Sequence, residues 1–349
     1  MRQLIFFIST IFSLGAHAQT PALDAEPKPY RTIQHYGDSV KTEIKRVVKM
    51  RAKMSNRPDT LAIMEYVEGK VSRYISFSLQ AKRESTYDYQ YIGSSEIQTN
   101  HKPESLKGQR LSIKRLLAKD GKPTSTYNWT VLGKDTINNV KSVFEYDEQR
   151  RQILVTEYQF GKLSSRRQSV FDGEKLKEYR LFVNLGTVNE RPGSKYEFAY
   201  DESGNLSEIK LHYFIKGKFE LESVKKFEYQ GDKLIRKINS KPQDSTKNSS
   251  ATFAYDQKGN LARLLSKRNG DSIKVDIQYD DLNRVSKKNV HIMSTTMFEE
   301  FPMYVERGAK FPYKVEENYL YDSRGNLVAI EKSADGSIIE RLIFEITYW

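Results

Sequence analysis

The sequence predicts an all-β protein, an antiparallel meander of repeated hairpins in a sheet that is free to curl. Three observations predict it. A turn signature recurs at near-constant intervals, six of its seven copies open on the second member of an aromatic or Ile/Tyr pair spaced i, i+2, and the segments between copies alternate apolar and polar residues.

The signature is read first, because periods of tens of residues decide a fold. It runs Tyr200-Asp201-Glu202-Ser203-Gly204-Asn205-Leu206, then Tyr255-Asp256-Gln257-Lys258-Gly259-Asn260-Leu261, then Tyr321-Asp322-Ser323-Arg324-Gly325-Asn326-Leu327. Looser copies begin at Tyr146-Asp147, Phe171-Asp172, Tyr229-Gln230 and Tyr279-Asp280. The seven aromatic positions step by 25, 29, 29, 26, 24 and 42 residues, so one hairpin unit repeats and the last step holds an insertion. Each letter has a mechanical role. Aspartate opens a turn by accepting nearby backbone N–H groups. Glycine supplies positive φ, asparagine tolerates left-handed geometry, and leucine re-enters the strand. A loop of four or five residues of this kind joins two antiparallel strands.

The flanks read as strands. Phe144/Tyr146, Phe198/Tyr200, Phe227/Tyr229, Phe253/Tyr255, Ile277/Tyr279 and Tyr319/Tyr321 each place two side chains on one face. Ile209–Tyr213 and Ile273–Ile277 alternate with period two, as half-buried strands do. Return turns are predicted at Phe160-Gly161-Lys162, Lys216-Gly217-Lys218, Asn269-Gly270-Asp271 and Asp335-Gly336, with longer returns at residues 184–195 and 240–250.

Residues 1–18 read as a signal peptide. A positive start at Arg2 is followed by an apolar run from Leu4 to Gly15 and an Ala16-His17-Ala18 cleavage site. Residues 19–29, with Pro21, Pro27 and Pro29, form a flexible leader. Residues 30–140 are a β region of diverged repeats or a cap, in which Val40–Met54 mostly alternates and residues 66–71 and 119–122 are degenerate turns. Residues 141–349 are the repeat sheet, with an insertion at 293–318. The expected address is therefore the periplasm, the cell surface or the medium. The absence of cysteine rules out disulfides, thiolate zinc and a lipid anchor on cysteine. No stretch after the signal approaches a transmembrane helix.

The formal charge is +12, and +11 once Arg2 leaves with the signal. Lysine and arginine are spread along the strands, which is the pattern of a solvated face with some attraction to polyanions. An exported chain is not expected to meet nucleic acid, so the expected partner is an envelope glycan or protein. The oligomeric state is not encoded legibly.

No catalytic residues and no cofactor are predicted. The histidines have no ligand spacing, and the Asp-x-x-Gly-Asn turns lack the alternating carboxylates of a calcium loop. The candidate ligand-binding residues are in the insertion: Phe301, Tyr304, Arg307, Phe311 and Tyr313. Aromatics on a long loop over a rigid sheet suit binding, while the plainer expectation is that the segment folds back over the sheet. Two alternatives accompany the binding module. One is a hydrolase with its site at the insertion. The other is an outer-membrane barrel, suggested by the terminal strand ending in Trp349 but opposed by a mean hydropathy of −0.67.

The Y-D-x-x-G-N-L copies resemble the YD repeats of RHS proteins, found in bacterial polymorphic toxins and animal teneurins. The resemblance spans roughly residues 140 to 335. It implies a long β-sheet strip, which in large members curls into a shell able to enclose a C-terminal toxin, and a cell-surface or carbohydrate-binding role. This chain is far shorter than those members. It shows no self-cleavage motif and no added domain after Ile338, so toxin delivery is not expected of it.

Overall fold

The computed structural model describes residues 40–49, 59–67, 70–78, 83–92, 96–103, 109–118, 122–132, 135–183, 191–294, 311–334 and 336–348. The expected signal and leader lie outside them. Among the described residues twenty-two strands form one sheet. The first eight are β1 (Val40–Lys49), β2 (Asp59–Val67), β3 (Lys70–Ser78), β4 (Arg83–Ile92), β5 (Glu96–Pro103), β6 (Gln109–Leu117), β7 (Pro123–Leu132) and β8 (Asp135–Tyr146). Next come β9 (Gln152–Gln159), β10 (Lys162–Asp172), β11 (Lys175–Val183), β12 (Arg191–Tyr200), β13 (Leu206–Ile215), β14 (Lys218–Gln230) and β15 (Lys233–Ser240). The chain then runs through β16 (Ser249–Tyr255), β17 (Leu261–Arg268), β18 (Asp271–Tyr279), β19 (Val285–Ile292), β20 (Tyr313–Tyr321), β21 (Leu327–Ala334) and β22 (Ser337–Tyr348).

Each strand pairs antiparallel with the next, and β1 also pairs with β22, from Val40 opposite Tyr348 to Lys49 opposite Glu340. The hydrogen-bonded ladder thus returns from the last strand to the first. Among the described strands each has a neighbour on both sides, which leaves no edge to recruit another chain by pairing. The only helical turn among the described residues is Ser245–Lys247, capped by the Asp244 carboxylate.

The two faces differ. One carries the aromatic pairs and the core: Phe227, Phe253, Leu264, Val275, Val290 and Val315 are all at most 5% exposed. The core cluster runs from Leu206 to Val315 along β13–β20. The other face is a lattice of ion pairs, including Lys210–Glu208 at 2.8 Å, Arg263–Asp276 at 2.6 Å and Lys287–Glu316 at 2.7 Å. Period-two strands with one apolar face must sort in this way. The exposed pairs contribute little stability individually, so burial on the aromatic face holds the sheet.

The signature turns lie along one edge and the return turns along the other. In five copies the turn is the five-residue loop expected, from Tyr146, Tyr200, Tyr255, Tyr279 and Tyr321 to the next strand. Two copies differ: Asp172–Lys175 and Gln230–Lys233 close through two residues. There Gly173 and Gly231 take φ +56° and +63° immediately after the strand, so the turn needs no extra residues. At every copy the register shifts by a β-bulge just before the aromatic, as at Ala199/Tyr200 and Ala254/Tyr255. Register shifts also occur at Glu65/Tyr66 and Leu116/Leu117 in the first third. The predicted insertion is shorter than read from sequence. Residues 313–318 belong to β20, whose period-two pattern continues the sheet.

Candidate functional site

The signature turns are the most specific chemistry in the chain, and their polar groups are spoken for. In the Asp256 turn, Asp256 N–H donates to the Asn260 carbonyl at 2.8 Å and Gly259 N–H to the Asp256 carbonyl at 3.0 Å. The Asp256 carboxylate accepts from Asn260 N–H at 2.8 Å and from Asn260 Nδ2 at 3.1 Å. The Asp201 turn is alike, with the corresponding carboxylate contacts at 2.8 and 3.1 Å. Where asparagine is replaced, Arg151 and Arg284 do the same work: each donates its backbone N–H to the turn aspartate at 2.8 Å and its Nε at 2.7 Å. At those copies Arg150 and Asn283 stand in the positive-φ position.

These contacts set the acidity of the carboxyls. Hydrogen bonds from the Asn260 side chain and backbone hold Asp256 below the usual range. At Asp147, Asp201 and Asp280 some desolvation opposes ionisation, and the bonds from Arg151, Asn205 and Arg284 outweigh it. With both oxygens engaged by their own loop, these carboxylates are not free ligands. Among the described residues no three His, Asp or Glu side chains converge as a metal site.

The turn tyrosines link one unit to the one before it. Tyr146, Tyr200, Tyr255, Tyr279 and Tyr321 donate their hydroxyls to the carbonyls of Pro123, Leu176, Leu234, Leu261 and Val285, at 2.7–3.0 Å. A cation from the preceding turn lies over the ring: Lys175 over Tyr200 at 5.2 Å, Lys233 over Tyr255 at 5.4 Å and Arg284 over Tyr321 at 4.2 Å from the centroid. The same cations lie over the next glycine. A Cβ on Gly259 would sit 2.9 Å from Lys233 Nζ, and one on Gly325 would sit 3.3 Å from Arg284 Nη1. Sequence reasoning missed this role. Its signal is the basic residue that replaces asparagine before the strand-entering leucine or valine.

A second polar feature crosses the apolar face. Lys288 is 1% exposed. Cross-strand register places Ile277, Lys288, Glu317, Lys332 and Glu340 in one row over β18–β22. Lys288 Nζ lies 4.8 Å from the Tyr319 centroid, and Tyr319 donates its hydroxyl to Glu317 Oε2 at 2.7 Å. Lys332 reaches Glu317 at 3.4 Å and Glu340 at 3.5 Å. Burial pushes the Lys288 ammonium down to about 8, against the attraction of Glu317 and with the repulsion of Lys332. Period-two patterning did not foresee a buried lysine here, since the residue type argues for the solvent face.

Of the insertion residues, Phe301, Tyr304 and Arg307 lie outside the described residues. Phe311 and Tyr313 are half-buried and pack against the core cluster. Tyr313 starts β20, opposite Ile292. These two side chains therefore cover the sheet rather than standing on an open loop.

No protein-family model matches the chain, and no curated protein matches it. Among solved structures it is similar to a chain of the Photorhabdus luminescens Tc holotoxin pore, with TM-score 0.42 and 13% identity over 82% of this chain. The chain spans 16% of that toxin chain. It is also similar to a porin-like protein from Bacteroides uniformis, with TM-score 0.32 and 9% identity over 89% of this chain and 98% of the other. A second porin-like protein, from Bacteroides vulgatus, gives 0.25 and 13% over 88% and 98%.

Proposed function

We propose that this is an exported, non-catalytic binding or scaffold module of the cell envelope that recognises a glycan or a protein. One observation carries the reading. The repeated turn chemistry is consumed internally, because in five copies the loop satisfies its own aspartate and the turn tyrosine ties its unit to the previous one. Residues spent this way build a stiff support, and a stiff β support with variable loops is the usual setting for a binding surface. The signal-like residues 1–18 and the resemblance of the turns to YD repeats support the envelope address.

The outer-membrane barrel finds less support. A spanning barrel turns apolar side chains to lipid, whereas here Leu264 and Val290 are 0% exposed and the exposed face carries Lys210, Arg263 and Lys287. Each such charge would cost about 2–4 kcal/mol at the bilayer midplane.

The test is binding of residues 19–349 to a panel of envelope polysaccharides at low and moderate salt. Retention that survives moderate salt and is lost in Tyr304→Ala supports a glycan module with its site in the insertion. Retention that fades uniformly with salt, or none, refutes the glycan version and leaves a protein partner to be sought by crosslinking in the envelope.

A further inference from the structure

The edge formed by the return turns differs from the signature edge in a way the fold does not require. Three return hairpins close through two residues that both have positive φ: Phe160-Gly161 at +49° and +76°, Lys216-Gly217 at +48° and +86°, and Asn269-Gly270 at +48° and +82°. This turn favours Asn-Gly, which the chain uses at 269–270. At 160 it places a phenylalanine, a bulky residue for which positive φ is a true outlier. The ring is 63% exposed, so burial does not offset that strain.

Other exposed apolar groups stand along the same edge, and Leu282, 71% exposed, is on the signature edge. Ile215 ends β13 at 42%, Met293 follows β19 at 51%, and Ile338 opens β22 at 42%. Lys162, Lys216 and Lys218 stand exposed among them. Lys218 meets Glu220 at 3.3 Å yet keeps 72% of its side chain exposed. The opposite edge carries the turn aspartates Asp147, Asp201, Asp256, Asp280 and Asp322. The Phe160 and Lys216 turns are four strand spacings apart, about 20 Å, so the apolar and cationic groups are spread along a rim rather than gathered in a pocket.

We propose that this return-turn edge docks on an anionic lipid surface, with Phe160, Ile215 and Met293 entering the headgroup boundary and Lys162, Lys216 and Lys218 facing lipid phosphates. Exposed aromatic and aliphatic tips gain free energy from an acyl boundary, and the neighbouring lysines gain from its negative potential. A polysaccharide would reward the lysines and leave Ile215 and Met293 unused. The aspartate-bearing edge would face away, which fixes the orientation.

The experiment is flotation of residues 19–349 with vesicles of phosphatidylcholine alone and of phosphatidylcholine with an equal part of phosphatidylglycerol. The expected result is binding to the anionic vesicles, weakened roughly tenfold by Phe160→Asn and about fivefold or more by the pair Lys162→Glu and Lys216→Glu. Phe160→Asn suits the turn better than the native residue, so lost binding cannot be ascribed to lost folding. The proposal is overturned if all forms bind alike, if neutral vesicles bind as well, or if the same variants abolish a vesicle-free oligomer, which would assign the edge to a second copy. Glycan retention by Phe160→Asn is measured in parallel and distinguishes failure here from failure of the envelope-module reading.

Discussion

The Tyr255 hydroxyl donates to the Leu234 carbonyl at 2.9 Å, across 21 residues of sequence, while Lys233 lies 5.4 Å from the centroid of the same ring. One side chain thus takes both a hydrogen bond and a cation from consecutive residues of the preceding unit. The arrangement recurs at Tyr200 with Leu176 and Lys175, and at Tyr321 with Val285 and Arg284. It couples neighbouring hairpins beyond the ladder itself, as nearest-neighbour terms do in repeat proteins.

Removing that hydroxyl tests the coupling. Tyr255→Phe keeps the ring and loses one hydrogen bond, and is expected to cost about 1 kcal/mol in urea unfolding. Tyr255→Ala also deletes a ring packed against the core cluster and is expected to cost about 3–5 kcal/mol. No measurable cost for Tyr255→Phe would show that the hydroxyl contributes nothing.

The glycines should not respond equally. Gly231 has φ +63°, inside the left-handed well open to other residues, and a Cβ there meets nothing within 4 Å. Gly259 has φ +88°, and its Cβ would displace Lys233 from Tyr255. Gly231→Ala is expected to cost about 1 kcal/mol and Gly259→Ala about 2–3 kcal/mol. The comparison of urea midpoints at constant m decides it.

Acid should loosen the turns. Asp256 is held below its ordinary value by Asn260, and Asp147, Asp201 and Asp280 shift the same way. A depressed folded pKa contributes stability that is complete above the ordinary aspartate range near 4 and is lost as pH falls through the folded value. Asp256→Asn sets a second donor against Asn260 Nδ2. Its urea midpoint should lie below that of the native chain at pH 7, and the gap should close as pH falls through the lowered folded value of Asp256. A gap independent of pH would contradict this.

Lys288 should behave in the opposite sense. Its folded pKa of about 8 lies below the ordinary 10.5. At pH 7 the lysine is protonated in both states and the full cost of burying the charge is present. As pH rises above 8 the folded form sheds its proton first, so stability increases until the unfolded lysine also titrates. Between pH 8 and 9.5 the native chain should gain up to about 2 kcal/mol relative to Lys288→Met. A flat difference over that window would mean that Lys288 titrates normally.

The legible part of this protein is the part made by neighbours in sequence. Aspartate, glycine and asparagine specify the turn within five residues through their own hydrogen bonds and φ, so Asp201–Asn205 and Asp256–Asn260 could be read directly. The aromatic pairs likewise announce one face of a strand, because the side-chain period of two is local. The insertion was read less well. Tyr313 shares one strand face with Val315 and Glu317, yet its aromatic neighbours in sequence suggest a binding loop.

By itself, then, the sequence determined the β class, the repeat and the chemistry of each signature turn, since all three arise from contacts a few residues long. Tertiary structure alone decided that β1 meets β22 about 300 residues away, that Lys288 is buried opposite Glu317, that Lys233 caps Tyr255, and that Phe160 joins Ile215 and Met293 on one edge. The physical reason is register. Which residue faces which across strands depends on the accumulated bulges and loop lengths of the whole meander, and a single one-residue slip would send every later side chain to the other face.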